Sequence, residues 1–138
     1  MVVDLHAREE CGGSIVGRRL AVLGAAFKPN SDDVRDSPAL SVAAQMQLQG
    51  AEVTVTDPRA IENARKKWPD LLFADTVEEA VRDAEIVLLL TDWPEYVSIN
   101  PRTLAKQVAV SRILDGRNCL DAAAWREAGG TYRALGRN

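Results

Sequence analysis

The sequence predicts an α/β fold, a Rossmann-like doubly wound parallel sheet in three α/β/α layers, on three observations. Short apolar strands alternate with helix-length segments along most of the chain, the pattern of a parallel sheet with helices on both faces. One strand, Ile86-Val87-Leu88-Leu89-Leu90, is apolar throughout, as a central strand covered on both sides must be. The stretch from Gly24 to Asp36 is more than twice as long as the roughly 2–6 residues of an ordinary strand-to-helix connection. It carries Lys28, Arg35, Asp32, Asp33 and Asp36, and open parallel sheets bind ligands at this end of their strands.

The elements follow in order. Residues 1–11 read as a helical stub in which Val2, Leu5 and Ala7 are too few to define a buried face; Gly12-Gly13-Ser14 breaks it. The first strand is Leu20-Ala21-Val22-Leu23. Ser37 as N-cap and Pro38 at the first helical position start a helix over 38–49. Its apolar stripe is read as Leu40, Ala43, Ala44, Gln47 and Leu48, with Gly50 as the stop. Val53-Thr54-Val55-Thr56 is the second strand and ends at Asp57-Pro58; a helix over 59–68 follows, burying Ile61, Ala64 and Trp68.

A short strand near Leu72-Phe73 leads into Thr76-Val77-Glu78-Glu79, which has capping-box spacing. The helix it starts packs Val77, Ala80, Val81 and Ala84. After the central strand, Asn100-Pro101 opens another helix, and Ile113-Leu114 forms a strand ending at Asp115. The last helix, over 122–128, stops at Gly129-Gly130.

Composition narrows the function. A chain of 138 residues is long enough for one domain with its own core. No apolar run approaches the ~20 residues of a membrane span, and no signal-peptide core is present, so no membrane role is expected. Net charge is −3 and no basic face stands out, which argues against nucleic-acid binding; Arg65-Lys66-Lys67 reads as a solvated helix surface. Cys11 and Cys119 make neither a metal spacing nor a disulfide framework, and a reduced, cytoplasmic setting is expected. His6, alone in the stub, reads as idle.

In the strand order 3-2-1-4-5-6, the first, fourth and fifth strands are neighbours where the winding reverses. Their carboxyl ends carry the Phe27–Arg35 loop, Thr91-Asp92-Trp93 and Asp115-Gly116-Arg117, so three distant segments are expected to line one crevice. Lys28, Arg35 and Arg117 suit an anionic ligand, the arginines adding a bidentate fork. Phe27 and Trp93 offer flat apolar surface. Plainer readings stand beside these. Lys28 is then a solvated loop lysine, Arg35 pins the loop through Asp32, Asp33 or Asp36, and Phe27 and Trp93 belong to the core. Asp57 occupies the place of the ribose-binding acid in dinucleotide sheets, but no Gly-x-Gly-x-x-Gly begins at Gly24, which disfavours a self-contained NAD site.

The loop resembles the signature of the UDP-glucose/GDP-mannose dehydrogenase family, in its C-terminal nucleotide-sugar-binding domain. The matching residues are Gly24, Phe27-Lys28, Asp32-Asp33, Arg35 and Ser37-Pro38. The stretches Leu90-Thr91-Asp92-Trp93-Pro94-Glu95-Tyr96 and Asp115-Gly116-Arg117-Asn118 fit as well, in the same order, so the resemblance covers most of the chain. Within the family, the UDP-glucose-oxidising members are the most similar. The resemblance implies that Phe27, Lys28 and Arg117 contact a UDP-sugar substrate, and that Arg35 reaches NAD held by another domain. It implies a whole enzyme that oxidises the sugar C6 alcohol to a carboxylate in two NAD-dependent steps, through a cysteine thioester.

Departures are also visible. Ser31 stands where the family usually has threonine, which keeps the hydroxyl. The Gly-Gly-x-Cys nucleophile segment has no counterpart: Cys11 precedes Gly12-Gly13, and Cys119 matches no catalytic position. The expectation is therefore a remnant of connecting helix and linker over 1–14 and a nucleotide-sugar-binding domain over 15–138, inactive alone. Its partners are the NAD-binding and central helical domains of the same enzyme, and the implied assembly is a homodimer through the central region. The sugar remains open among UDP-glucose, UDP-N-acetylmannosamine and GDP-mannose. On the residues alone, a free-standing nucleotide-binding or regulatory module and an interaction domain with a self-paired loop are the competing readings.

Overall fold

Leu20 to Leu23 and Ile86 to Leu89 are buried on both faces, which puts two strands in the middle of a sheet with helices on either side. The computed structural model describes residues 7–26 and 28–134. Among them run β1 (Arg19–Leu23), β2 (Glu52–Thr56), β3 (Leu72–Phe73), β4 (Ile86–Leu89), β5 (Arg112–Asp115) and β6 (Thr131–Ala134), all parallel, in the order β3-β2-β1-β4-β5-β6. Leu23 lies beside Thr56 on one side and Leu89 on the other, and Leu89 lies beside Asp115, so the carboxyl ends of β2, β1, β4 and β5 are level. The chain is a Rossmann-like α/β domain.

The helices are α1 (Pro38–Leu48), α2 (Ile61–Lys67), α3 (Val77–Val81), α4 (Pro94–Val97), α5 (Pro101–Gln107) and α6 (Ala122–Glu127). Capping side chains set several of the starts. The Ser37 hydroxyl accepts from the Leu40 amide, Thr76 from Glu79, Asn100 from Arg102, and Asp121 from Ala123 and Ala124. Helix α2 begins later than its sequence pattern suggests, because Asp57 Oδ1 accepts from the Arg59 and Ala60 amides and holds that segment in a turn.

Four expectations change. The buried face of α1 is Ala39, Leu40, Val42, Ala43 and Met46, while Leu48 is 88% exposed; the stripe lies one step round the helix from the predicted one. In α2 only Ala64 is buried, with Trp68 and Ile61 half-buried. Helix α4 and strand β6 have no counterpart in the sequence reading. The N-terminal stub is integrated: residues 7–10 are helical, Ala7 and Cys11 enter the core, and Glu9 and Glu10 pair with Arg133 of β6 at 2.8 and 3.5 Å. Val2, Leu5 and His6 lie outside the described residues.

Candidate functional site

The floor of the crevice is built around a buried carboxylate. Asp57, at the end of β2 and only 3% exposed, accepts through Oδ2 from the amides of Ala25 (2.8 Å) and Ala26 (3.0 Å) and the indole of Trp93 (3.1 Å). The carbonyls of this turn are used as well. Ser37 donates its hydroxyl to Ala25 O at 2.7 Å, and Thr91 donates to Ala26 O at 2.9 Å. Gly24 makes the turn at φ 111°, where a Cβ would overlap the Thr91 side chain and lie 2.7 Å from its backbone nitrogen. Trp93 is therefore a core residue, as the plainer reading had it.

This arrangement does not fit a dinucleotide bound to the chain's own sheet. In a dinucleotide fold the amides after the first strand face the pyrophosphate, and the acid ending the second strand meets the ribose. Here the Ala25 and Ala26 amides turn inward to that acid, and both are used up on each other.

A second buried acid, Asp115 at the end of β5, is 0% exposed. Its Oδ1 accepts from the Arg117 amide at 3.0 Å; its Oδ2 accepts from the Cys119 and Leu120 amides at 2.9 Å and the Tyr132 hydroxyl at 2.8 Å. The turn so formed lifts the Arg117 side chain out of the sheet, 41% exposed, with Nε 3.5 Å from Asp92 Oδ1 in the loop after β4. The Asp57 and Asp115 hubs, and the place of Asp92, were not singled out from sequence as structural. The signal that marks the two hubs is an aspartate closing a strand before Pro58 or Gly116, an Asx-turn pattern.

On the loop after β1, Lys28 is exposed. Arg35, 86% exposed, forks onto Asp33 through Nε at 3.1 Å and Nη2 at 3.0 Å, and its amide also donates to Asp33. These Arg35 bonds, with a smaller contribution from Lys28, bring the Asp33 carboxyl down from 3.8 to about 2. Asp32 takes part through its carbonyl, which accepts from Asn63. Phe27 lies outside the described residues. The three cations thus sit on two loops, those after β1 and β5, at the carboxyl edge of the sheet. Among the described residues no hydrogen bond or ion pair joins Arg117 to Lys28 or Arg35.

Neither cysteine is activated. Burial, then the charges of Asp115 and Asp92, push the Cys119 thiol up to about 11, and burial raises Cys11 as well. No helix among the described residues is long and apolar enough to cross a membrane.

The pattern that characterises the UDP-glucose/GDP-mannose dehydrogenase family, UDP binding domain, matches residues 21–122, from β1 into α6. The chain belongs to this family. It is 38% identical over 91% of its length to a UDP-glucose 6-dehydrogenase of Rhizobium meliloti, and 40% identical over 91% to UDP-glucose 6-dehydrogenase TuaD of Bacillus subtilis. It covers 29% and 27% of those proteins, so the chain spans less than a third of the curated relatives it matches. Among solved structures, the NDP-N-acetyl-D-galactosaminuronic acid dehydrogenase of Methanosarcina mazei superposes with a TM-score of 0.84 at 30% identity, over 99% of this chain and 28% of that one.

Proposed function

We propose that the chain is the UDP-sugar-binding module of an NAD-dependent UDP-glucose 6-dehydrogenase, an oxidoreductase that converts UDP-glucose to UDP-glucuronate. What supports this reading is the family match together with the meeting of the β1, β4 and β5 ends at the switch point of the sheet, where Lys28 and Arg117 are exposed on two loops and the buried Asp57 and Asp115 are already bonded. Exposed cations beside buried acids that are already bonded suit an anion lying across the loops, and a diphosphate has that charge. Phe27 and Lys28 contact the nucleotide sugar, Arg117 takes a phosphate, and Arg35 reaches outward to NAD held by another domain.

The chemistry then lies outside this chain. Burial raises both thiols, which leaves little thiolate at neutral pH, and the amides that would face a pyrophosphate are spent on Asp57. NAD, the catalytic cysteine, the NAD-binding and central domains, a cytoplasmic setting and a homodimer all belong to the same reading. So does the division of this sequence at residue 14, the segment before it acting as the connection to those domains.

The test is an NMR titration of the chain with UDP, UDP-glucose and NAD. Shifts around residues 28–35 and Arg117 with both uridine ligands are expected, lost in Lys28→Ala and Arg117→Ala, with little response to NAD. Saturable NAD binding with no response to UDP would reverse the assignment.

A further inference from the structure

The geometry points to Asp92 as the residue that positions Arg117 for an anionic ligand, an inference that rests on the nucleotide-binding reading. Its own loop fixes only the backbone of Arg117, through the amide bond to Asp115 Oδ1. The side chain is steadied from the neighbouring loop, where Asp92 Oδ1 lies 3.5 Å from Nε. That oxygen is sealed from solvent and makes no hydrogen bond among the described residues, so the guanidinium is the charge that compensates it. Contact at Nε leaves the two terminal nitrogens without hydrogen bonds or ion pairs among the described residues, in position for phosphate oxygens.

Asp92 is itself a fixed post. Thr91 before it is fully buried, with its hydroxyl on Ala26 O; Trp93 after it is buried, with its indole on Asp57. The Trp93 amide also donates to Thr91 O across Asp92 at 3.0 Å. The carboxylate therefore stands between two buried residues bonded into the sheet ends, and the flexible guanidinium leans on it. A free arginine must give up rotamer freedom when it binds; one already paired has given up most of it beforehand. The negative charge of Asp92 opposes an incoming phosphate, but the oxygen that faces Arg117 is screened behind the guanidinium.

The test is calorimetric titration of the whole chain with UDP, for the wild type, Asp92→Ala, Asp92→Asn, Arg117→Ala and the double variant Asp92→Ala/Arg117→Ala. Asp92→Ala is expected to raise Kd about three- to tenfold, the effect of freeing one long side chain. Asp92→Asn, which keeps an oxygen for Nε, falls between it and the wild type. In the Arg117→Ala background, Asp92→Ala changes nothing further. A purely structural role would weaken binding equally in both backgrounds. Without ligand, the Arg117 Nε–H resonance is ordered in the wild type and averages in Asp92→Ala.

Unchanged or tighter UDP binding by both Asp92 variants, or equal losses in the two backgrounds, overturns the proposal. An effect of Arg117→Ala without one of Asp92→Ala removes this inference and leaves the nucleotide site standing. No UDP binding by the folded wild type removes both.

Discussion

Trp93 donates its indole N–H to Asp57 Oδ2 at 3.1 Å, tying the loop after β4 to the end of β2 beneath the turn that follows β1. Because the same oxygen accepts from Ala25 and Ala26, one carboxylate joins three strand ends. The position that serves a ribose in dinucleotide folds is thereby converted into a foundation, and the exposed cations Lys28, Arg35 and Arg117 stand on the loops.

Removing that foundation has a larger effect than removing one of its contacts. Asp57→Ala leaves buried amides at Ala25, Ala26 and Ala60 without acceptors, and is expected to cost about 3 kcal/mol or more. Trp93→Phe deletes a single donor and keeps most of the ring, and is expected to cost roughly 1 kcal/mol. Urea unfolding of both variants decides the matter. Equal midpoints would mean that the carboxylate is not the hub of the floor.

Gly24 is the second irreplaceable position. Gly24→Ala places a Cβ at a φ of 111°, with strain of roughly 1–3 kcal/mol, and adds overlap with Thr91. Combining it with Thr91→Ala removes the overlap with the hydroxyl but leaves the Cβ at position 91 and the backbone nitrogen at 2.7 Å where they are. The double variant is therefore expected to melt no higher than Gly24→Ala alone. Recovery to near wild-type stability would assign the constraint to the threonine hydroxyl instead of the left-handed backbone and the close approach of the Thr91 Cβ and nitrogen.

The elements written plainly in the sequence are those with strong local signals. Strand β4 is apolar throughout and β1 is so from Leu20 on, and Ser37, Thr76 and Asn100 cap helices as their spacing predicts. Strand β6 escaped notice because only Tyr132 of its residues is buried, so an edge strand of this length shows no alternation to read. The face of α1 was misread because alanines and leucines occur all round it; tertiary packing chose Met46 over Leu48. In the crevice, the loops were legible by length and charge. Which polar groups would be consumed internally was not, because Asp57 meets Trp93 only after the sheet has brought residues 36 positions apart together.

The loop after β1 has its own acid limit. Asp33 titrates near 2 in the folded chain, against 3.8 without its partner, chiefly because Arg35 donates to it. A lowered carboxyl pKa gives stabilisation that is complete above the unfolded value and is lost as pH falls through the folded one. The stabilisation from the Arg35–Asp33 fork should thus be complete above about pH 4 and fall away between there and about 2, the fork itself opening as Asp33 takes up its proton near 2. Carboxyl carbon shifts followed by NMR should show this midpoint, returning toward 3.8 in Arg35→Ala. An ordinary midpoint for Asp33 in the wild type would mean that the fork is not formed in solution, which would leave Arg35 unpaired for another role.

The thiols give the most direct check that oxidation chemistry lies elsewhere. A thioester route needs a thiolate, and thiolate is scarce here. Cys119, displaced to about 11 by burial and by Asp115 and Asp92, is about one part in a thousand ionised at pH 8. Cys11 is buried in the core and raised too. Iodoacetamide labelling of Cys119 should therefore be slow at neutral pH and rise about tenfold per unit up to pH 10, with Cys119→Ala removing the pH-dependent phase. In the same solutions, UDP-glucose and NAD should give no NADH with this chain alone. NADH formation abolished by Cys119→Ala would put the nucleophile within these residues and make the crevice a catalytic site. Fast labelling at pH 7 without NADH would show only that the Asp115 turn opens in solution, freeing the thiol from the burial that now holds it neutral.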